Sequence, residues 1–198
     1  MSPRTLLPEE RITQILDAAL RVFAREGFAK ARMETIAEEA GLSKGTLYLY
    51  FDSKDALITA LLERFFATEL QDFQLLLATD APAADRLLFL AQHLAAEVEA
   101  MSTQMSISFE FYAVAARQES VREFLRAYFH QYTDLIEALI QQGIDRGEFR
   151  QTPTREAALT LVALFEGLNL LHVVDPEAIH FQLQAEAAVR LIINGLVE

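Results

Sequence analysis

An all-helical fold is predicted for this 198-residue chain, and three observations predict it. Apolar residues recur at helical spacing along nearly its whole length. It has only five prolines and seven glycines, and most of them fall where helices should break. No alternating polar–apolar stretch with hairpin signals occurs, which argues against a sheet. A hydrophobic share of 52% excludes a disordered chain. The absence of cysteine excludes a disulfide framework and a thiolate metal site, and suits a reducing compartment. The opening residues MSPRTLLPEERITQ lack the apolar core of a signal peptide, so a cytoplasmic protein is expected.

About nine helices are expected. The first runs from about Pro8 to Glu26, with Pro8 in its first turn and Glu9 and Glu10 at the positive end of its dipole. Gly27 ends it, and Phe28 folds back as the apolar contact that follows a glycine cap. Two short helices follow, Met33–Ala40 and Lys44 to about Phe51, joined by Gly41-Leu42-Ser43. A fourth starts after Asp52-Ser53 and passes Leu70, with Ser53 as its N-cap. The remainder reads as helices over Ala83–Ala100, Thr103–Arg117, Ser120–Gly143, Thr154–Val174 and Glu177–Gly195. No linker is long enough to free one part from another, so residues 1–54 and 55–198 are expected as two domains sharing the fourth helix.

The informative run is METIAEEAGLSKGTLYLYFDSKDAL, Met33 to Leu57. Two short helices joined by a three-residue turn containing glycine form a helix-turn-helix. Ile36 and Leu47 face each other across it, Ala37 and Ala40 allow close approach, and Leu42 plugs the corner. Gly41 takes the positive φ that opens the turn, and Ser43 caps the second helix. At about 100° per residue, Leu47 and Phe51 of that helix point to the core, while Lys44, Gly45, Tyr48 and Leu49 point away and Thr46 lies on the flank. A cation, a phenol, a missing side chain and a bare leucine make a poor solvent face and a good DNA face. Lys44 suits a phosphate or a guanine edge, Tyr48 a phosphate, and Leu49 a thymine methyl, while Gly45 lets the backbone approach. Lys54, in the first turn of the next helix, is expected at the DNA backbone.

With those residues in view, the stretch from about Glu10 to Leu62 resembles the TetR family of transcriptional regulators, most specifically in FAREGF and IAEEAGLSKGTLYLYFDSKDAL. The resemblance implies an all-helical homodimer. Three N-terminal helices would read a palindromic operator, a larger helical domain would bind an effector, and effector binding would pull the two heads out of register, usually relieving repression. Carried over by position, the DNA contacts fall on Lys44, Gly45, Thr46, Tyr48, Leu49, Tyr50 and Lys54, with Ser43 at the cap. Two positions depart from the family pattern. Ala31-Arg32 stands where Ser or Thr often caps the first motif helix and touches a phosphate, and Arg32 is the replacement contact. Leu49 stands where histidine or an aromatic is common, which bears on base preference. FEFYAVAARQESVREFLRAYF and GIDRGEFR resemble stretches of many members but name no effector.

The C-terminal part supports two further expectations. Ala157 to Val174 is apolar almost throughout, broken by Thr160, Glu166, Gly167, Asn169 and His172. A helix apolar on all sides must be covered on all sides, and the acid, amide and histidine argue against a membrane span. Helices 154–174 and 177–195 are therefore expected to form a four-helix bundle with a second copy; a buried central helix in a monomer is the alternative. The effector is expected to be small and lipophilic, in a pocket drawn from Met101, Met105, Phe109, Tyr112, Phe129, Tyr132, Phe165, Glu166 and Asn169. Such side chains suit a plain core equally well. Glu110 and Glu166 would need partners if buried, a cationic lipophilic ligand being one and ordinary hydrogen bonds another.

Other functions are weaker readings. Glu177-x-x-His180 has the spacing of a di-iron ligand pair, but no second pair accompanies it, and Glu177 reads as a helix start. No phosphate loop or nucleophile elbow occurs, so neither an enzyme nor a metal or other cofactor is expected. A helical protein-interaction adaptor would leave the Lys44–Tyr48 face unexplained. The net charge of −12 looks unfavourable to DNA, yet residues 1–50 hold as many basic as acidic side chains. The whole excess lies beyond them, and the three lysines Lys30, Lys44 and Lys54 lie at the N-terminal end.

Overall fold

A computed structural model describes the backbone of residues 7–100 and 105–197, with the side chains of those residues apart from 65–72, 97, 99–100 and 105–108. Within them the chain forms α1 (Pro8–Lys30), α2 (Met33–Glu39), α3 (Lys44–Tyr48), α4 (Lys54–Leu77), α5 (Ala83–Ala100), α6 (Met105–Ala115), α7 (Glu119–Asp145), α8 (Thr154–Val174) and α9 (Phe181–Leu196), and no strand. These residues pack as two units, Met1–Phe65 with Ser106–Leu125, and Phe66–Met105 with Arg126–Glu198. The first unit thus takes in the start of α4, nearly all of α6 and the start of α7, beyond the segment 1–54 that the sequence marks out.

The first unit is organised by the end of α1. Glu10 accepts the N–H of Leu7 at 2.9 Å, closing the first turn. Gly27 has φ 75° and ψ 158°, so the regular helix stops at Glu26. Phe28 is then turned inward, 3% exposed, with its ring 4.6 Å from that of Phe23 and 5.0 Å from that of Phe111 on α6. Ile15, Val22, Ile36, Leu47, Leu57, Ile58, Leu61 and Leu62 complete a core with almost no solvent contact. Each such side chain contributes about 1.5–3 kcal/mol through its removal from water. Ser53 caps α4, its hydroxyl accepting the Ala56 N–H at 3.1 Å.

The second unit packs α5 along α9, with α8 beside α9. Its core runs through Leu87, Leu90, Ala91, Tyr132, Ile136, Ile140, Phe149, Leu161, Val162, Val189 and Ile193. Two helix ends differ from the sequence reading. Gly143, read as the end of a helix, lies inside α7, where a Cβ would come within 2.4 Å of the Phe149 ring. The glycine is there for close packing, and Gly147, with φ 72°, makes the turn. The last helix starts at Phe181, not Glu177. Asp175 accepts the Ala178 N–H through its side chain at 3.0 Å, a local turn that holds residues 175–178 out of the helix. Glu177 and His180 therefore do not share a helical turn as a ligand pair would.

Helix α8 is long and apolar enough to cross a membrane, yet only 22% of that stretch is buried within the chain. Its inward residues are Ala158, Leu161, Val162 and Asn169. Leu159, Leu170, Leu171 and Val174 remain exposed, as do Leu183 and Leu191 of α9.

Candidate nucleic-acid interface and ligand cavity

The helix-turn-helix forms as its residue types dictate. Gly41 opens the turn at φ 66°, and the Leu42 N–H returns to the Ala37 carbonyl at 2.8 Å. Ser43 accepts the Thr46 N–H at 3.1 Å and shares a 2.8 Å hydrogen bond with the Thr46 hydroxyl. Leu47 and Phe51 turn inward. Ser43, Lys44, Gly45, Tyr48, Leu49 and Tyr50 are all exposed and Thr46 is half-buried. Leu49, at 83%, is far barer than a leucine needs to be. The regular helix is shorter than expected, because Leu49 and Tyr50 donate to the carbonyls of Thr46 and Leu47 in a tightened last turn.

Charge on this face is already engaged. The Lys44 ammonium pairs with Glu34 of α2 and lies 5.7 Å from the centre of the Tyr48 ring. The Lys44 hydrogen bond holds the Glu34 carboxyl below the usual carboxylate range, and Glu34 in turn raises Lys44. Nothing fills Gly45's outward side; a Cβ there would meet only the Ser43 hydroxyl, at 3.9 Å. Arg32 occupies the N-cap of α2 without a side-chain cap, leaving its exposed guanidinium on the surface.

The Lys54 ammonium, expected at the DNA backbone, is engaged by the chain itself. It donates to the carbonyls of Phe28, Ala29 and Ala31 at 2.6, 3.3 and 3.1 Å. The helical path ends at Lys30, so those carbonyls at and beyond the last turn have no helical donors, and Lys54 satisfies them. Sequence spacing gives no sign of this, since the acceptors are backbone atoms more than twenty positions earlier. On the other side of the same segment, Glu110 accepts the Phe28 N–H at 2.6 Å. That bond uses the carboxylate for structure and removes the reason to assign it a cationic ligand.

The residues expected to line an effector pocket fall in several places. Met101 lies outside the described residues, as does the side chain of Met105. Phe109 and Tyr112 belong to the first unit, their rings 6.0 Å apart. Phe129, Tyr132, Phe165, Glu166 and Asn169 belong to the second. Tyr132 and Phe165 border a void of about 20 Å³, which is core packing on the scale of ligand sites. Asn169 is buried with its side-chain oxygen unpartnered.

A larger cavity of about 600 Å³ lies in the second unit between the end of α4 and one face of α5. Phe73, Leu76, Phe89, Leu90 and Leu94 supply its apolar wall, and Arg86, with Thr79, Asp85 and His93, its polar groups. None of the residues singled out from the sequence lines it. The signal was present in AADRLLFLAQHL, where Arg86, Phe89, Leu90 and His93 repeat at helical spacing on one stripe.

Comparison with known proteins agrees with this geometry. Residues 15–61 match the model of bacterial regulatory proteins of the tetR family, and residues 75–197 match that of the BetI-type transcriptional repressor, C-terminal region. An uncharacterised helix-turn-helix-type transcriptional regulator of Bacillus subtilis, YfiR, is 29% identical over 85% of this chain and 82% of its own. The fold is similar to a TetR transcription regulator from Haloarcula marismortui (TM-score 0.86, 20% identity, covering 96% of this chain and 100% of that one). It is also similar to a transcriptional regulator from Saccharomonospora viridis solved with choline (TM-score 0.84, 24% identity, covering 96% and 99%).

Proposed function

Because the chain belongs to the TetR family of transcriptional regulators, we propose that it is a cytoplasmic, ligand-responsive repressor that binds a palindromic operator as a homodimer. The single observation that carries the DNA reading is the exposed face Lys44, Gly45, Tyr48 and Leu49 on a helix otherwise anchored by Leu47 and Phe51. Lys44 and Arg32 would meet phosphates, Tyr48 and Tyr50 would flank them, and Ser43 and Thr46 would hold the helix start against the backbone. Residues 1–54 serve as the reading head and residues 55–198 as the effector and dimer domain.

The bare apolar faces of α8 and α9 support dimerisation through those helices, the expected 154–174 and 177–195 now narrowed at the start of α9. Two heads so paired would place their recognition helices in successive major grooves, about 34–36 Å apart. The effector is a small lipophilic molecule, as the apolar wall of the α4–α5 cavity supports; choline in the Saccharomonospora viridis regulator illustrates only that this fold can hold a small molecule. Phe109, Tyr112 and Phe129 are read as packing. No catalytic role is assigned to the chain.

The test is anisotropy titration of a palindromic fragment from beside its own gene. Tyr48→Ala or Lys44→Ala is expected to lower affinity at least tenfold, a loss of about 1.4 kcal/mol per decade. Leu49→Ala is expected to change the ranking of operator variants more than the mean affinity. Indifference to the first two substitutions would identify a protein-interaction adaptor instead.

A further inference from the structure

We propose that the α4–α5 cavity binds an apolar molecule carrying one carboxylate, and that Arg86 grips that head. The proposal gives a site and a ligand class to the effector of the regulator reading, and rests on that reading only for its consequence at DNA.

Arg86 is the observation that points to a ligand. It is 1% exposed and lines the cavity. One terminal nitrogen donates to the Gln142 side-chain oxygen at 2.8 Å and to the Leu77 carbonyl at 3.3 Å. Its Nε and Nη2 are buried and have no hydrogen-bond partner. Those two nitrogens form one edge of the planar fork, the edge that holds both oxygens of a carboxylate. No carboxylate forms an ion pair with Arg86 among the described residues, although buried charges ordinarily have one. Burial pushes the guanidinium below its usual range, and Arg146 nearby adds to that; Asp80 and Glu148 act against it from a distance. Asp80 is held by Arg146, and Glu148 by the Ala83 N–H, so both are committed elsewhere. The remaining need is for hydrogen-bond acceptors on the bare edge.

The rest of the cavity suits the remainder of such a molecule. Phe73, Leu76, Leu90 and Leu94 offer an apolar wall, and Phe89 lines the cavity while staying 57% exposed. From Arg86 the stripe on α5 runs to His93, about 10 Å along the helix axis. That length accepts an alkyl chain lying along the helix with its head at Arg86. The volume of about 600 Å³ falls in the range of small-molecule sites. A head group that parts the wall over Nε and Nη2 replaces two unmade hydrogen bonds with two charge-assisted ones.

The experiment is isothermal titration of the full chain with dodecanoate, dodecanol and dodecyltrimethylammonium below their micelle concentrations, alongside operator binding. Dodecanoate is expected to bind saturably, at least about tenfold tighter than either of the others. Arg86→Gln is expected to weaken dodecanoate at least about tenfold and to leave dodecanol nearly unchanged. Phe89→Glu lies at an exposed position and guards against a folding defect in the first variant; its like charge is expected to weaken dodecanoate in the same way. Equal binding of all three amphiphiles, or dodecanoate binding untouched by both variants, would overturn the site, the chains then adsorbing on the apolar faces of α8 and α9. Operator binding without saturable dodecanoate binding would also overturn the site and leave the regulator standing. Dodecanoate binding that needs Arg86, in a protein that binds no operator, would support the site and remove the regulator.

Discussion

At position 54 a lysine does work that its location beside a recognition helix conceals. Its ammonium closes the broken end of α1 by taking three carbonyls. Lys54→Met is therefore expected to cost roughly 1–3 kcal/mol of stability, because partly buried carbonyls lose a charged donor. Urea unfolding measures that loss, while operator affinity of the folded variant should stay within about threefold of the parent. Gly45 predicts the opposite pattern. A Cβ has room there, so Gly45→Ala should leave the melting temperature unchanged or raise it, and its effect should appear as a loss of at least tenfold in operator affinity. Gly41, Ser43 and Leu47 were legible in the sequence because their roles are local: a positive φ, a cap three residues away, one side of a short helix. Lys54 and Arg86 were not, because what each meets comes from distant backbone or from burial that only the tertiary packing sets.

Among the helices, α2 and α3 form a pair with an internal brake. Glu34 on α2 holds the ammonium of Lys44 on α3, and on DNA the same ammonium must exchange carboxylate for phosphate. Both side chains are half-exposed, so the pair adds little to stability and its effect falls on binding. Glu34→Gln is expected to raise affinity for random-sequence DNA severalfold and to narrow the gap between operator and random sequence, as read by competition titration. Helices α5 and α8 have the bounds read from sequence because Pro82 and Pro153 mark their starts. Helices α7 and α9 differ for equally definite reasons. A glycine that serves packing resembles one that ends a helix, and a turn made by an aspartate side chain resembles the start of one.

For the molecule as a whole, the acidic excess and the bare apolar faces of its last two helices lead to linked expectations. Leu170→Glu with Leu191→Glu changes two exposed side chains, so the chain should still fold. Sedimentation equilibrium should find monomer, and operator affinity should fall by two or more decades as the second head loses its tether. The salt dependence of operator binding should be shallow, with a logarithmic slope of roughly −5 in the dimer, because the Lys54 ammonium is engaged by carbonyls of its own chain and the acidic remainder repels phosphate. A slope near −10 would mean that other cations reach the DNA. The make-up of the first unit has a practical side as well. Phe111, Glu110 and Gln118 arrive from α6 and the turn after it to meet Phe28 and Asp55. The DNA-reading head is therefore not a portable cassette. Grafted onto another sensor as residues 1–65 alone, it would carry an uncovered aromatic ring and a loose amide, and a working chimera would have to take residues 106–125 along with it.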